Sequence, residues 1–167
     1  PRSGSKTADF TIPDGLPPAL PDDVLQVRAA RIETLRTDTP VALRGDGMLQ
    51  FWREFLETGP DTEVLLTAKD GVPALVRQGN IHYLGGWPNQ DLLRSIILSM
   101  VDRAGMVTKE LPDGIRLRRH GSHVFALNYG ATSFDLASLG WTGTPLLGEL
   151  VLEPSGVAIM PVYDAGY

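Results

Sequence analysis

Only one stretch of this chain carries the period of a helix, and its position limits what the rest can fold into. Ile81–Gly105, IHYLGGWPNQDLLRSIILSMVDRAG, reads as the end of a buried strand, a Gly85-Gly86 turn and then the helix. Apolar residues fall at Leu92, Leu93, Ile96, Ile97, Met100 and Val101, the one-sided spacing of an amphipathic helix. On that face Leu93 and Ile97 are expected to point into the core. Asn89 suits the N-cap, where its side-chain oxygen can accept from a free amide of the first turn. Asp91 lies at the positive end of the helix dipole, and Gly105 supplies a left-handed stop.

Strand and loop sequence leads into that helix. Pro1–Lys6, PRSGSK, is polar and is set aside as a frayed end or tag remnant. Ala8–Asp23 contains Pro13, Pro17, Pro18 and Pro21, each removing an amide donor, so it reads as an extended arm crossing a surface. Val24–Leu35 fits either period; Val24, Val27, Ala30 and Leu35 allow a helix, while Leu25, Val27 and Ala29 allow the strand favoured here. Met48–Thr58 is also ambiguous, since Phe51, Trp52, Phe55 and Leu56 would form a helical stripe on a short piece between glycine-containing turns. Propensity slightly prefers a helix there. Glu63–Ala68 and Val72–Val76 flank Lys69-Asp70-Gly71, a strong hairpin signal, and Gln78-Gly79-Asn80 turns into Ile81–Leu84.

After Gly105 the texture changes. Ile115–Arg119, His123–Tyr129, Ser133–Leu139, Leu146–Leu152 and Val157–Val162 read as short strands joined by glycine-rich turns, the pattern of a small antiparallel sandwich. The boundary between the two textures falls near Met106–Asp113.

The 167 residues suffice for one core or two small ones. A net charge of −5 without a basic block argues against a nucleic-acid partner, and no apolar run is long enough to span a bilayer. The absence of cysteine removes disulfides, thiol catalysis and thiolate metal sites, and fits a reducing, cytoplasmic setting.

Candidate chemistry is thin. His120 and His123 flank Gly121-Ser122 beside Arg118 and Arg119, which suggests an anion or metal site, yet no Asp or Glu stands nearby and a strand-to-strand turn explains the same residues. His82 lies in an apolar strand and reads as a satisfied core or interface residue. Glycosidases use paired carboxylates, but Glu54, Glu57 and Glu63 look like ordinary surface charges. Ser122, Ser133 and Ser138 lack a nucleophile-elbow context, and Asp70-Gly71 and Asp113-Gly114 are turn formers first. Trp52, Trp87, Trp141, Tyr83 and Tyr129 could stack on sugar rings, Trp87 and Trp141 from loops. No residue is assigned a catalytic, cofactor-binding or metal-binding role, and no cofactor is expected.

Gly79–Pro88, GNIHYLGGWP, followed by the helix at 89–104, resembles a segment of the family 42 beta-galactosidases. Ala68–Gln78, AKDGVPALVRQ, is similar to that family's preceding strand pair, Val124–Tyr129, VFALNY, to the strand opening its small C-terminal β domain, and Leu150–Met160, LVLEPSGVAIM, to that domain's last hairpin. The likeness runs in order over about residues 20–163, although the family's longer Gly-x-Gly turn is here only Gly79-Asn80.

The resemblance implies an α+β chain: a partial α/β, trimerisation-type domain followed by a small antiparallel β-sandwich. Its parts would be an arm or tag remnant at 1–20, the α/β region at 21–105 and the C-terminal β domain at 106–167. It implies a strand at Met48–Thr58. It also implies a non-catalytic portion of a retaining beta-galactosidase, whose glutamates stand on a separate TIM barrel. Partners would be that barrel and further copies in a trimer, with a contact around Trp52–Leu56 and Trp87; neither nucleic acid nor membrane is expected. The alternative is a free-standing carbohydrate-binding or interaction module, favoured if Trp87 and Trp141 are both exposed.

Overall fold

The computed structural model describes residues 6–162, which form two compact units, residues up to Met106 and residues from Val107. The architecture is α+β. Every strand pair among the described residues is antiparallel.

The first unit is built on its longest strand, β3 (Met48–Thr58). β1 (Val27–Thr34) and the two-residue β2 (Val41–Ala42) pair with it, and β7 (Gly86–Pro88) pairs with Leu49, Gln50 and Arg53. Both ambiguous segments are therefore strands. Residues 48–58 find ladder partners along their whole length, which outweighs the helical stripe that propensity favours. A second sheet contains β4 (Glu63–Thr67), β5 (Pro73–Gln78) and β6 (Ile81–Leu84) in that order. The β4–β5 turn falls where Lys69-Asp70-Gly71 places it: Gly71 is left-handed and Asp70 Oδ1 accepts from the Val72 amide at 3.2 Å.

Gly85 and Gly86 join the two sheets at close quarters. A Cβ on Gly85 would lie 2.9 Å from the Leu56 side chain, and one on Gly86 2.8 Å from Leu49 and 3.0 Å from the Trp52 carbonyl. Only glycine lets the chain pass this near to β3.

The helix, α1 (Gln90–Arg103), follows β7 directly. Its inward face differs from the one expected. Leu92 and Ile96 are buried against Leu43, Leu49, Ala68, Ala74 and Leu75, while Leu93 and Ile97 are 45% and 49% exposed. Asn89 occupies the N-cap but makes no side-chain cap. Its Oδ1 instead accepts from the Met48 amide at 3.2 Å, and its own amide donates to the Met48 carbonyl at 3.0 Å, tying the helix start to β3. A second core group, Leu25, Val27, Ala29, Leu56, Val76 and Tyr83, fills the other end of the unit.

In the second unit β8 (Ile115–His120), β9 (His123–Asn128) and β12 (Val157–Pro161) form a sheet with β9 central. Two expected strands are mostly something else. Within 133–139 only β10 (Phe134–Asp135) is strand; Leu136–Leu139 is a 3-10 turn capped by Asp135, whose Oδ1 accepts from the Ala137 amide at 2.9 Å. Within 146–152 only β11 (Val151–Leu152) pairs, with β10, plus one bridge from Leu147 to Ile159. Side chains of Val124, Ala126, Leu136, Leu139, Trp141, Leu152, Ala158 and Met160 make the core. Buried Asn128 ends β9 and closes it. Its Nδ2 donates to the carbonyls of Thr132 (2.8 Å), Leu152 (3.0 Å) and Glu153 (3.2 Å), and its Oδ1 accepts from the Gly130 amide (2.8 Å).

Candidate interaction surface

The chemistry of the first unit gathers where β3 changes phase. Between the pairs Gln50–Trp87 and Arg53–Gly86, β3 spends three steps to one on β7, a bulge holding Phe51 and Trp52. Leu49 faces inward before the bulge and Glu54 and Leu56 after it, so the inward-facing parity switches. Phe51 sits at φ 61°, a left-handed backbone costly for an aromatic residue. The result is an outward-facing ring. Phe51 is 50% and Trp87 51% exposed, packed edge to face with centroids 6.3 Å apart.

Glu54, read from sequence as a surface charge, is 2% exposed. Its Oε2 accepts from the buried Tyr83 hydroxyl at 2.6 Å. Burial pushes the Glu54 carboxyl above its ordinary value, partly opposed by that hydrogen bond, and burial together with Glu54 drives the Tyr83 phenol far upward. The signal available in the sequence was spacing: Glu54 shares a strand face with Leu56, two residues on. Glu57 and Glu63 are surface charges as read, pairing with Arg28 and Arg77.

Glu54 lines an open cavity of about 640 Å³ between the arm and the sheet. Its walls are mostly apolar, including Ile12, Leu16, Pro17, Ile32, Phe51 and Trp52, with Lys6, Asp14 and Thr34 also present. The arm thus crosses a surface, as its prolines imply, and carries exposed Phe10 and Ile12. Beyond Glu54 on the strand, Phe55 lies under two guanidinium groups, with Arg31 Cζ 3.7 Å and Arg53 Cζ 4.4 Å from the ring centre. Arg53 also bonds Glu33 at 2.8 Å and pairs with Asp70. Burial alone would raise the Asp70 carboxyl, but the Arg53 contact and the Val72 amide hold it below its usual range.

The unburied row of α1 forms a second apolar surface. Ile97, Met100, Val101 and Met106, with Asn80 and His82, border a groove of about 470 Å³. His82 is not the satisfied residue expected; its Nδ1 is buried without a hydrogen-bond partner among the described residues.

The other sequence candidates do not converge. His120 and His123 pair across the tip of the β8–β9 hairpin, around left-handed Gly121. Among the described residues no group of three His, Asp or Glu side chains is placed to hold a metal. Trp141 is buried in the second unit's core, and Tyr129 is exposed. Of the expected contact region, Trp52–Leu56 and Trp87, Trp87 is open, Trp52 and Phe55 are half-buried, and Glu54 and Leu56 are buried; exposed Phe51 lies just outside it. Among the described residues no helix is long and apolar enough to cross a membrane.

The fold and the exposed surfaces of the first unit acquire a context from known proteins. Residues 1–107 match the family model described as the beta-galactosidase trimerisation domain. The chain belongs to that family. A Thermus thermophilus beta-galactosidase is 40% identical over 163 residues, covering 95% of this chain and 25% of the relative. A Haloferax lucentense beta-galactosidase, BgaH, is 29% identical over 170 residues, 95% of this chain and 26% of its own length. The crystal structure of a beta-galactosidase from the psychrophilic Marinomonas ef1 superposes with a TM-score of 0.76 at 30% identity, over 95% of this chain and 24% of that one. The chain spans about a quarter of the length of these relatives.

Proposed function

We propose that this chain is the assembly portion of a beta-galactosidase, joining copies into a trimer and supporting a catalytic barrel carried on other residues. Terminal beta-galactose would be removed by that barrel and not here. The observation that carries the reading is the match of 1–107 to a trimerisation domain whose unit leaves large apolar side chains uncovered. Phe51, Trp87, Leu93, Ile97 and Met100 are open in a single chain, and burial of such surface drives association. In this reading the arm is 1–20, the assembly domain 21–105 and the appended β domain 106–167. A cytoplasmic setting is supported by the cysteine-free composition.

Light scattering on the full chain at micromolar concentration tests the proposal. Association with a trimer as the limiting mass is expected, together with no hydrolysis of a chromogenic beta-galactoside. A compact, cooperative monomer at that concentration overturns the assembly role, and turnover that copurifies with the chain overturns the non-catalytic one. Exposed Trp87 favours the carbohydrate-binding alternative, but burial of Trp141 removes the second stacking platform it needs.

A further inference from the structure

An antiparallel sheet with one face on a core normally turns polar side chains to water on the other. In the second unit only β8 follows that rule. The register of β8, β9 and β12 sets Ile115, Val124, Ala126, Asn128, Ala158 and Met160 on the core side, so their alternates stand on the opposite face. Across that face run two apolar rows, each closed at the β8 end by an arginine. One is Arg118, Phe125, Ile159 and Leu147, the last joined to β12 by its bridge to Ile159. The other is Arg116, Leu127 and Val157. Leu147 is 58% and Val157 40% exposed, and Phe125, Leu127 and Ile159 are half-buried without belonging to any of the three core groups. A third row holds His120, His123 and Pro161. No aspartate or glutamate stands in any of these rows. Arg116 and Arg118 are exposed, and among the described residues neither has an ion pair.

The shape and charge of this face restrict what can cover it. Its apolar centre is continuous and rimmed on one side by cations, the pattern of a contact surface. A sugar ring needs polar partners around its circumference, and the two rows offer carbon. An added strand finds no free edge at Ile159, whose amide and carbonyl are already bonded to Leu147 and Leu146. What is open is a face, and a helix lays an apolar stripe on such a face. Neighbouring strands lie about 4.8 Å apart, so the span from β8 to Leu147 is roughly 14 Å, room for one helix about 10–12 Å wide with its side chains. The arginines set the charge of that helix, because covering them without an acid would leave cations buried and unpaired.

We propose that the outer face of the second unit receives an amphipathic helix from the remaining polypeptide of the parent beta-galactosidase. Its apolar stripe lies on Phe125, Leu127, Ile159 and Leu147, and carboxylates along one flank meet Arg116 and Arg118. This rests on the reading of the chain as the supporting portion of a larger enzyme, and adds where that support is made and by what chemistry. The chain corresponds to 25% of the Thermus thermophilus relative, which leaves most of a parent's polypeptide to supply the helix.

The probe is a synthetic helical peptide of about four turns, with a leucine stripe, glutamates along one flank and glutamine elsewhere. It is titrated into the full chain while backbone amides are followed by NMR. Saturable shifts along β8, β9 and β12 are expected, weakening as salt is added. A second peptide with lysine in place of glutamate should bind at least tenfold more weakly. Arg116→Glu combined with Arg118→Glu should fold, since both side chains are exposed, as circular dichroism would verify, and should reverse the preference in favour of the lysine peptide. The neutral pair Arg116→Gln and Arg118→Gln should abolish the preference. Equal binding of the two peptides to the wild type, an unchanged preference in either folded variant, shifts confined to residues outside this face, or no saturation by roughly 1 mM overturns the proposal. So does binding to phosphatidylglycerol vesicles that the acidic peptide cannot displace, which assigns the face to an anionic membrane. Loss of the trimer mass in the charge-reversed variant also overturns it, giving the face to a second copy of the chain. Every other failure leaves the light-scattering test of trimer formation standing, and absence of a trimer leaves the peptide result standing, so the two readings fail separately.

Discussion

Among the described residues each unit buries one strongly polar side chain in its sheet, and the two differ in how far they are matched. Asn128 in the second unit uses its amide donors on three carbonyls and its oxygen on a backbone amide. Among the described residues Glu54 in the first unit accepts one hydrogen bond, from the Tyr83 phenol. A polar group whose donors and acceptor are all matched fixes one geometry; a buried carboxylate with a single described hydrogen bond costs stability wherever it is ionised. That contrast makes the buried polar group a source of stability in one unit and a pH-dependent cost in the other.

The sharpest way to break the comparison is Asn128→Leu. It orphans the buried carbonyl of Leu152 and the partly buried Glu153 carbonyl and Gly130 amide, and should cost about 4 kcal/mol at 1–3 kcal/mol for each lost partner. Urea unfolding followed at Trp141 measures it; a loss below about 1 kcal/mol would show that water replaces the amide. Leu92→Ala comes next, at about 3 kcal/mol for a buried leucine. Leu93→Ala, on the exposed row, should change monomer stability by less than about 0.5 kcal/mol. The same pair of variants should reverse in an association assay, where only L93A weakens assembly.

Glu54→Gln tests the other side of the contrast through pH. The folded pKa is raised, so between the unfolded value, near the ordinary 4.5, and the folded one the native state binds more protons than the unfolded. Stability from this group is complete below the unfolded value and is lost as pH rises through the folded one. Denaturation midpoints of the wild type should therefore fall relative to E54Q above about pH 4.5, and parallel profiles would show that Glu54 is solvated. The smallest effect is expected from Phe51→Gly. Relief of the left-handed backbone offsets loss of the Trp87 contact, so stability should stay within about 0.5 kcal/mol while assembly weakens.

What was legible in the sequence follows the strength of local signals. The helix, the hairpin turn at Lys69-Asp70-Gly71 and the arm are set by side chains within a few residues of one another, and they appear where those residues place them. The inward face of α1 was not legible, because the rows Leu92–Ile96 and Leu93–Ile97 are equally apolar and only the neighbouring sheets choose between them. Met48–Thr58 misleads because its bulge changes the strand's parity midway, scattering Phe51, Trp52, Phe55 and Leu56 into a false helical stripe. The same bulge hid Glu54. In the second unit residues 133–152 contain strands only two residues long, too short for any period to register.

The bond between Asn89 and Met48 bears on the order in which the chain folds. A fourteen-residue helix with no side-chain cap is marginal in water, and the residue that would cap it is engaged with a strand forty-one positions away. Helix α1 therefore gains its anchored start only when β3 is already in place, which makes the one strongly local element of the first unit dependent on distant pairing. In pulse-labelling of refolding chains, the amides of α1 would acquire protection together with those of β3 and not before them.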